Sequence, residues 1–158
     1  MVILGIDPGL AIVGYGVLEY EKSRFRVLDF GAIRTPAGMR TEDRLCKIHR
    51  GVNELIDRYR PSEMAVEELF FNRNVTTAID VCQARGVILL AAKKHGVDIY
   101  EYTPLQIKQS VVGYGRAEKK QIIYMTHLLL RLPEPAKPDD TADALAVAIC
   151  HGNSMRGI

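Results

Sequence analysis

The stretch Val2-Ile3-Leu4-Gly5-Ile6-Asp7 is an apolar run that ends in a carboxylate. Such a run, followed by Pro8 and Gly9, is typical of a buried strand that leads into a tight turn. A carboxylate at the end of a buried strand loses its hydration unless a cation or a hydrogen-bond donor faces it. A second run, Met64-Ala65-Val66, likewise ends in Glu67. The pattern predicts an α/β domain with an acidic site at its strand ends.

The remaining sequence predicts a mixed five-stranded sheet with helices on both faces. The predicted strands are 2–7, 12–20, 25–35, 63–67 and 97–102, and the predicted helices are 45–59, 75–95, 104–112, 117–132 and 139–150. Thr103 and Pro104 are typical of an N-cap followed by a proline at the first helical position. We expect strands one, four and five to be parallel and central, so that Asp7 and Glu67 lie at carboxyl ends, where such sheets bind ligands.

The composition fits one domain that covers residues 1–158. With 158 residues, of which 47% are hydrophobic and 25% charged, the chain can bury a core without disulfides. Because Cys46, Cys82 and Cys150 form no C-x-x-C pair, we expect reduced, buried thiols in a cytoplasmic protein. No apolar stretch approaches the roughly 18 residues of a membrane span, so neither a membrane segment nor a signal peptide is expected. The net charge of +2 is by itself uninformative about the kind of partner that the protein binds.

Further acids follow near the end of the chain. Asp140 and Asp143 lie three residues apart at the start of a predicted helix and share one helix face. Acids at a helix start, Asp139 included, are commonly caps, and Asp7 taken alone is most often a turn cap. Caps explain one or two of these residues, but the whole set favours two Mg²⁺ or Mn²⁺ ions, ~3.5–4 Å apart, for phosphoryl transfer. No partnered Ser or Cys nucleophile is evident, and we expect His151 only to contact a helix end.

Residues 104–120 form a basic segment. It carries four basic residues against one acid, Glu118, and the basic residues are Lys108, Arg116, Lys119 and Lys120. If Gly113 and Gly115 are exposed, they let a nucleic-acid backbone approach the chain closely, and a helix start adds its positive end. The alternative is a solvated charged face with no ligand.

Six segments of the chain match a known family in order. They are Gly5-Ile6-Asp7-Pro8-Gly9 with Gly14-Tyr15-Gly16, Ala65-Val66-Glu67-Glu68, Gln83-Ala84-Arg85-Gly86-Val87, Ile107-Lys108-Gln109-Ser110-Val111-Val112-Gly113, Ala117-Glu118-Lys119-Lys120-Gln121 and Asp140-Thr141-Ala142-Asp143-Ala144-Leu145-Ala146. Across residues 2–152 the chain resembles the RuvC family of bacterial Holliday-junction resolvases. The resemblance implies a ribonuclease-H-like fold and a homodimer that nicks four-way DNA junctions in recombination and repair. It implies catalytic, metal-binding roles for Asp7, Glu67, Asp140 and Asp143, with two Mg²⁺ per site or Mn²⁺ in their place.

The resemblance also implies DNA contacts and partners. In relatives, lysines matching Lys108 and Lys119 lie near the DNA backbone, and Lys119 steadies the scissile phosphate. An aromatic residue at Phe70 stacks on a base or wedges the junction open, an interaction that contributes ~1–3 kcal/mol per base. Arg73 is a weaker candidate for DNA contact. The family works with a branch-migration helicase complex of the RuvA and RuvB type.

Several alternatives stay open at this point. Strand alternation lets only one of Glu67 and Glu68 face the site, and we expect Glu67. Either Phe70 or Phe71 can be the exposed ring. The helix 75–95 carries more apolar residues than one buried stripe requires, so its second face is either a dimer contact or buried within the monomer. The competing functions are an actin-like or sugar-kinase-like ATP-binding protein, a nuclease with another substrate such as an RNA–DNA hybrid, and a junction-binding module without activity.

Overall fold

The computed structural model describes residues 1–69 and 75–155. Its strands are β1 (Val2–Asp7), β2 (Ile12–Glu21), β3 (Arg24–Arg34), β4 (Glu63–Glu67) and β5 (Asp98–Tyr102). Its helices are α1 (Thr41–Tyr59), α2 (Val75–Lys94), α3 (Pro104–Val112), α4 (Lys119–Leu129) and α5 (Asp139–Ser154). These elements match the predicted order and type, although α4 is shorter than predicted and α5 extends beyond residue 150.

The five strands form one mixed sheet in the order β3-β2-β1-β4-β5. β1 pairs antiparallel with β2 and parallel with β4, and β4 pairs parallel with β5. The predicted parallel arrangement of strands one, four and five is therefore confirmed. Their predicted central position is wrong for β5, which is an edge strand, because the sheet grows on the other side of β1 through the antiparallel β2 and β3.

Strand alternation divides the side chains between two cores. Ile3 and Ala65 pack in the core that contains α5, whereas Leu4 and Val66 pack in the core that contains α1 and α2. Since successive side chains point to opposite faces, Asp7 shares the α5 face with Ile3. Ile6 of β1 is paired with Val66 of β4, so Asp7 and Glu67 are the next residues on two parallel strands.

Glycines bring α5 very close to the sheet. A Cβ atom at Gly14 of β2 would lie 2.0 Å from the carbonyl oxygen of Asp140, and one at Gly5 of β1 would lie 2.1 Å from the carbonyl oxygen of Ala144. Any side chain at these positions would push the helix outward. The glycines of the first strands thus set how near the α5 acids come to Asp7.

The cysteine prediction is only partly right. All three cysteines are free thiols, but Cys46 and Cys82 are exposed and only Cys150 is buried. The two exposed thiols lie on α1 and α2, and Cys46 falls outside the buried stripe of α1, which consists of Ile48, Val52, Leu55 and Ile56. None of the described helices is both long enough and apolar enough to cross a lipid bilayer.

Candidate active site

Carboxylates from β1, β4 and α5 converge at the carboxyl end of the parallel strands. Asp7 ends β1, Glu67 ends β4, and Asp140 and Asp143 occupy the first turns of α5. Burial raises the pKa of Asp7 to about 8, and the charges of Asp143, Asp140 and Glu67 add to that rise. Burial also raises the pKa of Glu67, again with a contribution from the charge of Asp143. The four acids therefore form one electrostatically coupled group.

Lys119, the first residue of α4, provides a counter-charge for this group. Its Nζ lies 3.1 Å from Asp143 Oδ2 and 3.7 Å from Asp139 Oδ2. Partial burial lowers the pKa of Lys119, but the hydrogen bond and charge of Asp143 outweigh this and raise it above its ordinary value. Burial raises the pKa of Asp143, and the hydrogen bond from Lys119 opposes that rise without cancelling it.

A cavity of about 250 Å³ opens beside these acids. Glu67, Asp143, Lys108 and Lys119 supply its charged lining, and the apolar remainder comes from α3, α4 and α5. Two carboxylates and two ammonium groups around one cavity suit a ligand that carries both a cation and an anionic oxygen, such as a metal-bound phosphate.

The donor set fits a hard divalent cation by its chemistry, since every candidate ligand is a carboxylate oxygen. Burial raises the pKa values of Asp7, Glu67 and Asp143, so ionisation of these three carboxylates is favoured by a cation beside them. Within residues 1–69 and 75–155, no three His, Cys, Asp or Glu side chains are grouped closely enough to hold one ion in their present orientations. Binding an ion there requires the carboxylates to turn toward a common point.

A family model described as crossover junction endodeoxyribonuclease RuvC matches residues 3–151. The chain belongs to the RuvC family. Relatives of that name from Ruminiclostridium cellulolyticum and Alkaliphilus metalliredigens are each 59% identical to it, over 99% and 98% of this chain and 94% of their own lengths. The structure of Thermus thermophilus RuvC in complex with a Holliday junction substrate has a TM-score of 0.93 at 38% identity, covering 99% of this chain and 96% of that one.

The resemblance expected from the sequence is thus confirmed, and so is the ribonuclease-H-like fold. Membership in the RuvC family also sets aside the actin-like and sugar-kinase-like interpretation of the opening strand and turn.

Two acids, Asp139 and Glu68, lie next to the converging carboxylates and make other contacts. The N-cap of α5 is Pro138, and no side chain caps this helix. The expectation that Asp139 is a cap is therefore wrong, because its carboxylate pairs with Lys119 instead. Glu68 is exposed, and its backbone N–H donates to the carbonyl of Tyr102 at 2.8 Å, whereas Glu67 lines the cavity.

The basic segment lies partly at the cavity and partly outside it. Lys108 on α3 lines the cavity with Lys119, whereas Arg116 and Lys120 are exposed beyond it. Gly113 is exposed with φ +96°, as predicted for a close backbone approach. Gly115 is not exposed in this way, since a Cβ there would meet the side chain of Leu105 at 2.0 Å. The candidates Phe70, Phe71 and Arg73 lie outside the described residues.

His151 is not the simple helix-end contact expected from the sequence. It is fully buried in the last turn of α5, where its ring nitrogens contact Glu63 of β4 and Tyr102 of β5. Sequence reasoning missed both partners, and the only local signal was that Glu63 shares its strand face with Glu67. The contact itself joins residues 88 positions apart.

Proposed function

We propose that this protein is a divalent-metal-dependent endonuclease, formed by a single nuclease domain, that resolves Holliday junctions by paired nicks during recombination and repair. The observation that carries the proposal is the convergence of Asp7, Glu67, Asp140 and Asp143 beside Lys108 and Lys119 in a chain of the RuvC family. The matched relatives are named as crossover junction endodeoxyribonucleases. The exposed Arg116 and Lys120, together with Phe70 and Arg73, are proposed to extend the DNA contact.

The proposed cofactor is Mg²⁺, two ions per site, with Mn²⁺ able to substitute. The residues that would hold these ions are Asp7, Glu67, Asp140 and Asp143. When ionised, these four carboxylates carry the negative charge that balances two divalent cations. When bound, such ions activate a water molecule and stabilise the leaving oxygen of an in-line displacement.

Two lysines beside the acids, Lys108 and Lys119, orient the substrate. Lys108 and Lys119 line the cavity together with Glu67 and Asp143, so both ammonium groups can contact phosphate oxygens of a DNA strand at the site. Lys119 also pairs with Asp143, so its contact with a phosphate depends on whether Asp143 is bound to Lys119 or to a metal ion.

The proposed assembly is a homodimer, since two identical sites related by a two-fold axis can nick two strands of a four-way junction. The outer face of α2 supports this proposal, because Ile79 and Leu90 on it are 54% and 53% exposed. The alternative that α2 is fully buried within the monomer is wrong. We further propose a cytoplasmic location and cooperation with a RuvA- and RuvB-type helicase complex, both by family membership.

The decisive experiment compares substrates with and without Mg²⁺. A radiolabelled four-way DNA junction, linear duplex and RNA–DNA hybrid are incubated with the protein in Mg²⁺ or in chelator. We expect paired nicks in the junction alone, only with metal, and junction binding without nicking by Asp7→Asn, because the phosphate contacts remain. Preferred hydrolysis of the hybrid would favour a ribonuclease-H activity, and junction binding without any nicking would favour a non-catalytic module.

A further inference from the structure

His151 is held from two sides in the interior. Its side chain is 0% exposed, and its Nε2 lies 2.5 Å from Glu63 Oε2. Its Nδ1 lies 2.6 Å from the hydroxyl of Tyr102, and the ring packs against Tyr100 with centroids 4.6 Å apart. Because a carboxylate only accepts hydrogen bonds, the Nε2–H of His151 donates and Glu63 Oε2 accepts. Both ring nitrogens are thus used, and the position of the imidazole is fixed.

This contact joins β4 and α5, two of the three elements that carry acids of the candidate site. Glu63 and Glu67 lie on the same face of β4, four residues apart, which corresponds to ~13 Å of strand. His151 follows Asp143 by eight residues on α5, which corresponds to ~12 Å of helix. These two lengths are nearly equal. When His151 of α5 lies beside Glu63 of β4, Asp143 of α5 therefore lies beside Glu67 of β4.

Apolar packing and directional contacts together hold α5 on the sheet. The helix meets β1 through small groups, with Ala144 and Ala148 against Gly5. These small groups fix how close the helix lies, and the larger buried side chains Leu145 and Ile149 pack against the sheet beside them. Apolar packing has no preferred direction, whereas hydrogen bonds define one axial position; those described between α5 and the sheet come from Thr141 at one end and from His151 and Ser154 at the other.

We propose that His151 is a positioning residue, whose contact with Glu63 sets the axial register of α5 on β4 and thereby the spacing of Asp140 and Asp143 from Asp7 and Glu67. This inference rests on the proposed role of those four acids. Asp140 and Asp143 are borne by α5 alone, so an axial shift of the helix moves them together relative to the strand acids. A displacement of about 1 Å at a catalytic site can lower the rate by about 100-fold.

The test measures metal binding and chemistry separately. In His151→Leu, we expect the affinity of the DNA-free protein for Mn²⁺, measured by calorimetry, to fall about tenfold. Single-turnover junction cleavage at saturating metal should fall about 100-fold, while junction affinity in chelator stays unchanged. In His151→Gln, whose amide can still donate to Glu63, Mn²⁺ affinity should return toward the wild-type value.

Cys150→Ala is the matched control, since Cys150 is the buried neighbour of His151 on the same helix. This control should lose stability in urea without losing Mn²⁺ affinity. Wild-type Mn²⁺ affinity in folded His151→Leu would overturn the inference. If that variant fails to fold, Glu63→Ala decides by the same measurement, and unchanged Mn²⁺ affinity there overturns it too. A wild-type protein that binds no Mn²⁺ or leaves junctions intact would instead contradict the proposed function.

Discussion

Asp7 is a buried carboxylate that is unfavourable to ionise in the absence of a cation. Its pKa of about 8, against an ordinary value of 3.8, means that the folded protein binds this proton more tightly than the unfolded chain does. Stability from such a group is fully present below pH 3.8 and is lost as the pH rises toward about 8. The raised pKa values of Glu67 and Asp143 act in the same direction. A divalent cation removes this cost, so metal and pH are linked in this protein.

The substitution Asp7→Asn tests whether ionisation of buried Asp7 destabilises the metal-free protein. The amide has the shape of the protonated acid but cannot ionise, so in chelator we expect the variant to be more stable than wild type at pH 8, by on the order of 2 kcal/mol. The difference should shrink toward pH 4. Urea unfolding across this pH range measures it, and saturating Mg²⁺ should reverse the order by stabilising only wild type. A variant less stable than wild type at pH 8 in chelator would contradict the explanation.

Lys119→Met should change metal affinity and catalysis in opposite directions. Because the ammonium of Lys119 pairs with Asp143, it competes with a metal ion for that carboxylate. Without DNA, we expect the variant to bind Mn²⁺ several-fold more tightly by calorimetry, while junction cleavage falls about tenfold or more because a phosphate contact is lost. Lys120→Met, the exposed neighbour on α4, is the matched control and should leave Mn²⁺ affinity unchanged. Weaker Mn²⁺ binding by Lys119→Met would exclude the competition.

Sequence alone located the residues whose chemistry is visible locally. Asp7 and Glu67 followed from apolar runs that end in acids, and the cap at Thr103 followed from Thr-Pro; its side chain accepts from Gln106 N–H at 3.1 Å. The prediction that Asp139 caps its helix was wrong, because the partner of its carboxylate, Lys119, lies on another helix. The partners of His151 were missed for the same reason. Contacts between distant segments depend on sheet order, which no local pattern contains.

At the scale of elements, α5 and the first two strands act as one unit. The helix runs along the sheet from the acids to His151, and glycines on β1 and β2 allow the close contact. The sequence predicted this helix and its apolar face because the Ala-rich pattern is local. Its full length and the edge position of β5 were not predicted, since helix ends and strand order depend on packing against other segments.

Gly14→Ala should disturb this unit. The new Cβ would lie 2.0 Å from the backbone oxygen of Asp140, so α5 has to move outward together with its acids. We expect a loss of about 1–3 kcal/mol in unfolding free energy, measured in urea, together with a marked loss of junction cleavage. Gly86→Ala on α2 is the control for an added methyl group away from α5, since a Cβ there meets nothing within 4 Å in its own protomer and should leave protomer stability equal or slightly higher. Because Gly86 shares the outer face of α2 with Ile79 and Leu90, both variants are compared in the Leu90→Glu background. Wild-type stability and cleavage in Gly14→Ala would show that α5 tolerates the displacement.

At the scale of the whole molecule, the candidate active site and the proposed dimer contact lie on opposite faces of the sheet. The α5 face carries the acids and, through α3 and α4, the basic segment. The opposite face is covered by α1 and α2, and α2 keeps apolar side chains on its outer side. A dimer formed through α2 would therefore leave the active-site face of each protomer free for DNA. The sequence indicated the surplus apolar residues of α2, but only the fold shows that Ile79 and Leu90 remain outside the core.

Leu90→Glu should convert the proposed dimer into a folded monomer. A charge at the centre of an apolar contact has to be desolvated in both protomers, which costs far more than the contact supplies. We expect sedimentation equilibrium at micromolar concentration to give a monomer mass, with unchanged circular dichroism and with paired junction nicks replaced by single ones. Leu128→Glu on α4 is the matched control: Leu128 is 47% exposed, close to the 53% of Leu90, but belongs to the opposite face of the sheet and should leave the dimer intact. If Leu90→Glu remains dimeric while Leu128→Glu dissociates, the protomers meet through the active-site face, and paired nicking would then require a different arrangement of the two sites.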